Sequence, residues 1–62
     1  MANMAVVTYL SPKGRKMSRD VVDHSFAGIL TYARKVAQRP GVRNVKLWSQ
    51  GGKLLASPRA VR

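Results

Sequence analysis

The chain of 62 residues contains no cysteine and no glutamate, and only two aspartates, one histidine, one tryptophan and one phenylalanine. Without cysteine, neither a disulfide nor a thiolate-zinc cluster can substitute for hydrophobic core, and nothing in the composition calls for an oxidising compartment. Long apolar runs are also missing. No stretch approaches the roughly 18 apolar residues needed to span a bilayer, and the opening MANMAVVTYL has neither the basic flank nor the apolar run of a signal peptide. The sequence thus reads as a soluble, cytoplasmic protein with no membrane partner.

The shortage of acids leaves twelve Lys and Arg against two Asp, a formal net charge of +10. Burying an unpaired cation costs several kcal/mol, so most of these side chains must face solvent or an anionic partner. A polyanion-binding surface is the expectation that follows.

Acid-base or nucleophilic catalysis requires a base placed beside a nucleophile or a second carboxylate. Asp20, Asp23 and His24 are the only acidic or imidazole groups. On a helix Asp20 and His24 would stand at i, i+4, yet with no further ligand they make a poor metal site. Gly51, Gly52 and Lys53 do not form a phosphate loop, because Leu54 stands where that motif needs Ser or Thr and a strand, not a helix, is expected to follow. The sequence therefore reads as that of a protein that is not an enzyme and needs no cofactor or metal.

A chain this short makes one domain and buries only about 60% of the surface exposed on unfolding. The segment Met4 to Leu10, rich in β-branched and aromatic residues, predicts a strand. Pro12 and Gly14 suit the second and fourth positions of a type I turn over Ser11 to Gly14. The basic run after it reads as an exposed loop or a brief return strand.

From Ser18 onward Val22, Phe26, Ile29, Leu30, Ala33, Val36 and Ala37 recur at three- and four-residue steps, which predicts one long amphipathic helix. Ser18 would be its N-cap, Asp20 and Asp23 would sit near its positive end, and Arg34, Lys35 and Arg39 near its negative end. Pro40 and Gly41 would stop it. Gly28 costs about 1 kcal/mol relative to alanine inside a helix and so suggests a close approach there.

The segments VRNVKLWS and KLLAS, separated by QGG, predict a hairpin. A two-residue turn at Gln50 and Gly51, or a four-residue loop from Ser49 to Gly52, would pair Trp48 with Lys53, Leu47 with Leu54 and Val45 with Ala56. Val45, Leu47, Leu54 and Ala56 would then meet the helix, leaving Asn44, Lys46, Trp48, Lys53, Leu55 and Ser57 on the outer face. A three-residue loop would reverse that assignment. The expected fold class is α+β: a two-layer β-α-β-β domain over residues 1–57, with a three-stranded sheet covered on one face by the helix and a flexible basic tail at 58–62. If the first strand joined the hairpin through a right-handed crossover, part of the sheet would be parallel.

The candidate binding residues form three groups. Lys13, Arg15, Lys16 and Arg19 precede the helix; Arg34, Lys35, Arg39 and Arg43 surround its far end; Lys46 and Lys53 flank Trp48. Cations supply sequence-independent phosphate contacts, while an aromatic face can stack on an unpaired base. These features point to a small nucleic-acid-binding accessory protein with a preference for single strands. The alternative is a small, phage-type regulator or inhibitor that docks its basic, Trp-containing sheet face on an acidic surface of a larger enzyme such as a nucleic-acid polymerase. A homodimer through the outer sheet face is compatible with either.

Overall fold

The computed structural model describes residues 3–59. Strand β1, Asn3–Leu10, alternates as a half-buried strand must: Ala5, Val7 and Tyr9 are buried, while Val6, Thr8 and Leu10 between them face the other way. The turn after it forms as the sequence predicts, with the Gly14 amide donating to the Ser11 carbonyl at 2.8 Å. Gly14 has a φ of 81°, in the left-handed region that glycine enters without penalty.

The chain then returns along β1 as β2, Lys16–Asp23, paired antiparallel from Leu10↔Lys16 to Asn3↔Asp23. Of the two readings of the basic run, the return strand is the one that forms, and because it runs on to Asp23 it corrects the expectation of a helix from Ser18 onward and with it the β-α-β-β order. The architecture is ββαββ, and the sheet has four strands, not three. Val22 and Phe26 do fit a helical stripe, but Met17, Val21 and Val22 fit a strand equally well, and the open edge of β1 supplies the backbone partners that decide between them.

Helix α1 spans Phe26–Ala37. Its N-cap is Ser25, whose Oγ accepts from the Gly28 amide at 3.2 Å, and not Ser18, which lies in β2. Asp20 and Asp23 are strand residues, so the first helical turn carries no acid; Arg34 and Lys35 do occupy the last turn. The stripe holds from Ile29 onward: Ile29, Ala33, Val36 and Ala37 are buried, with Leu30 packed beside them. Val22 and Phe26 are exposed and do not belong to it.

Strand β3, Arg43–Ser49, lies on the other edge of β1, and β4, Leu54–Ala56, follows it, giving the order β2-β1-β3-β4. All three strand pairings are antiparallel, because β2 and β3 flank β1 instead of joining each other. The helix covers one face, and the core between the layers is formed by Ala5, Val7 and Tyr9, Val45 and Leu47, and the helical stripe.

The second hairpin departs from the expected register. The Ser49 amide donates to the Lys53 carbonyl and the Gly52 amide to the Ser49 carbonyl, so the loop is the three residues Gln50, Gly51 and Gly52, with Gly52 at a φ of 89°. Trp48 consequently faces Leu54 instead of Lys53, and Leu47 faces Ala56 across a register shift. The orientation of Trp48 nevertheless survives. It is set by pairing with β1, where Val7↔Leu47 fixes the core face and Val6↔Trp48 the outer one. The loop turns Leu54 outward, and the irregularity at Leu55 returns Ala56 to the face of Leu47.

Candidate functional site

Residues directly opposed in an antiparallel sheet share a face, so the strand pairings define the surface that the helix leaves open. Beyond the pair Met4 and Val22, three longer cross-strand rows lie on it. Asp20, Val6, Trp48 and Leu54 make the first; Ser18, Thr8 and Lys46 the second; Lys16, Leu10 and Arg43 the third.

Trp48 ties two rows together. Its Nε1 donates to Thr8 Oγ1 at 2.8 Å, although the residue opposite it is Val6. The indole therefore reaches diagonally along the sheet, with its one polar atom satisfied. Lys46, two residues earlier on the same face, holds its Nζ 6.0 Å from the ring centroid, at the outer limit of a cation-π contact. Beside this pair lies a groove of about 310 Å³ whose walls include Thr8, Leu10, Lys16, Asn44, Lys46 and Trp48.

Strand β3 enters this surface through a bulge. Thr8 pairs with Lys46 and Leu10 with Arg43, which leaves one extra residue on β3, and Asn44 there has a φ of 55°. Asparagine is among the few non-glycine residues that adopt such a conformation readily. On the far side of the bulge a second groove of about 410 Å³ is lined by Arg43, Asn44, Lys46, Ser57, Pro58 and Arg59, with Ala37, Val42 and Val45 at its base.

The structure brings together Lys16, Arg43, Lys46 and Trp48 from the residues that the sequence nominates. It separates the others. Lys13 lies within the first turn and Arg15 follows it, and Arg19 pairs with Val7 on the helix-side face of an edge strand. Arg34 and Lys35 are exposed on the helix that covers the opposite face, with Arg39 in the loop beyond it. Lys53 closes the second loop, its amide donating to Ser49 Oγ, and Leu54 takes the place expected for it opposite Trp48.

Thr8, Asn44 and Arg59 are the functional candidates that sequence reading passed over. An asparagine in a β-rich run is a weak bulge signal. Nothing local to Thr8 announces a partner 40 residues away. The expected basic tail at 58–62 falls partly outside the described residues; Pro58 and Arg59, within them, line the second groove.

The acids are dispersed. Asp20 stands in the Trp48 row, whereas Asp23 turns to the helix start, its Oδ1 accepting from the Ser25 amide at 3.2 Å. Neither is on a helix with His24, so the i, i+4 spacing does not arise, and among the described residues no three His, Cys, Asp or Glu side chains gather as metal ligands. Among the described residues no helix is long and apolar enough to cross a membrane. What the open face offers chemically is a fixed indole, ammonium and guanidinium groups, and hydroxyl and amide donors beside them.

No family model matches the chain, and neither a curated protein nor a solved structure matches it.

Proposed function

We propose that the protein is a non-enzymatic accessory protein that binds single-stranded nucleic acid on its open sheet face, mainly through phosphate contacts. The observation that carries this reading is Trp48, held to Thr8 and bordered by Lys46 and Lys16 in one groove. Stacking of a base on an aromatic ring contributes about 1 to 3 kcal/mol and tolerates any base, whereas cations on either side serve the phosphates. The one helix lies on the opposite side of the sheet from Trp48, so a strand stacked on the indole would not be contacted by it.

Titrating the protein with an unstructured oligonucleotide while following Trp48 emission tests this directly. Quenching should saturate at low salt, and with Lys16, Arg43 and Lys46 engaged the log of affinity should fall against the log of salt with a slope of about −2, at ~0.7 per phosphate contact. Absence of binding at low salt would remove the reading.

One observation favours the alternative of a regulator docked on an acidic protein surface. Met4 and Val22 are exposed beside the Asp20 end of the Trp48 row, and Leu54 and Leu55 are exposed at its β4 end, so exposed apolar side chains border the row at both edges of the sheet. A pull-down from native lysate with and without nuclease separates the two. One stoichiometric protein retained after nuclease treatment would favour the regulator.

A further inference from the structure

The two grooves share Asn44 and Lys46. We infer that a bound single strand follows one track through both, stacking at Trp48, crossing β3 at its bulge, and reaching Arg43 and Arg59 with its next phosphates. This rests on the nucleic-acid reading above and adds a direction to it.

The bulge is the device that makes the track. In an unbroken strand side chains alternate, so with Val45 and Leu47 buried against the helix, residue 43 would point inward too. The extra residue at Asn44 shifts the alternation, and Arg43 pairs instead with Leu10, whose row also holds Lys16. Three cations then border the passage at Asn44: Lys16 on the first groove, Lys46 on both, and Arg43 on the second. Arg59 extends it, because Ser57, Pro58 and Arg59 continue past the end of β4 and form the far wall of the second groove.

Charge excludes the opposite course. Beyond Trp48 the face presents Asp20, Val22 and Met4, where a phosphate would meet a carboxylate and apolar side chains. Across β4 it would meet Leu54 and Leu55. The path over the bulge instead keeps cations on both sides.

The test compares two double variants of the full chain, each lacking two positive charges, on a short oligothymidylate of two or three nucleotides and on a longer one of about ten, within the site sizes usual for small single-strand binders. Arg43→Gln with Arg59→Gln should flatten the salt slope on the long strand by about 1.4, at ~0.7 per contact, while leaving the quenching of Trp48 by the short strand near wild type. Arg34→Gln with Lys35→Gln, on the helix side, should leave both unchanged. Both pairs are exposed, and a thermal melt confirms that each variant is folded. Equal flattening by the two pairs, or none by the first, overturns the track while the wild-type quenching still upholds single-strand binding. No quenching of the wild type by either strand overturns the binding reading and the track together.

Discussion

Trp48 and Thr8 are joined by a 2.8 Å hydrogen bond between two side chains that do not face each other across their strands. The bond fixes the indole of the open face along a diagonal and gives its N–H a partner in a half-buried setting, where an unmet donor costs about 1 to 3 kcal/mol. It separates two jobs that a single alanine substitution at Trp48 would confuse, holding the ring and being the ring.

Thr8→Val, which keeps shape and strand propensity, should therefore lower stability by only about 1 kcal/mol while freeing the indole. Iodide quenching of Trp48 should rise and oligonucleotide affinity fall. Thr8→Ser should restore both. An unaltered quenching constant in Thr8→Val would show that the ring is held by packing instead.

Phe26 and Ile29, which helical periodicity places in one apolar stripe, should respond differently to truncation. Ile29 is 1% exposed and Phe26 47% exposed. Ile29→Ala should cost about 2 to 5 kcal/mol, enough to unfold most of so small a domain, whereas Phe26→Ala should cost well under the ~3 kcal/mol of a core aromatic truncation. Urea melts of the two variants decide it, and a larger loss at Phe26 would place the helix start wrongly.

Gly28 is explained by Asp23. A Cβ on Gly28 would overlap the Asp23 carboxylate, which caps the Ser25 amide just before the helix. Gly28→Ala gains up to about 1 kcal/mol of helix propensity but displaces a hydrogen bond of similar worth. The substitution should thus be close to neutral in the wild type and stabilising by up to about 1 kcal/mol on an Asp23→Ala background. Equal effects on both backgrounds in a thermal double-mutant cycle would sever the link.

Lys46 and Lys53, which the sequence places as a symmetrical pair around Trp48, should behave differently. Lys46 approaches the ring and lines both grooves, whereas Lys53 belongs to the loop. Lys46→Gln should flatten the salt slope of oligonucleotide binding by about 0.7, and Lys53→Gln should change it little. Equal slopes for the two variants would restore the symmetrical arrangement.

Local chemistry alone determined several parts of this protein. The β-branched and aromatic residues of Met4 to Leu10 made a strand, the Pro12 and Gly14 spacing made a turn, and the apolar steps from Ile29 to Ala37 made a helix with a basic last turn. The +10 charge is likewise a matter of composition alone. Each is a property of neighbouring residues, and neighbours are what a sequence displays.

What lay beyond reach depended on a partner distant along the chain. Residues 16–23 carry both a helical and a strand pattern, and only the edge of β1 chose the strand, because a strand needs backbone partners that its own sequence does not contain. Trp48 faces outward for the same reason: pairing of Leu47 with Val7 overrules the loop length that would have turned it over, and the bulge of β4 absorbs the difference. Arg43 reaches the open face only because Asn44 interrupts the alternation of β3 against β1. The gathering of Lys16, Arg43, Lys46 and Trp48 is thus a product of register. Register is decided by which strand lies alongside and which side chains the core can bury.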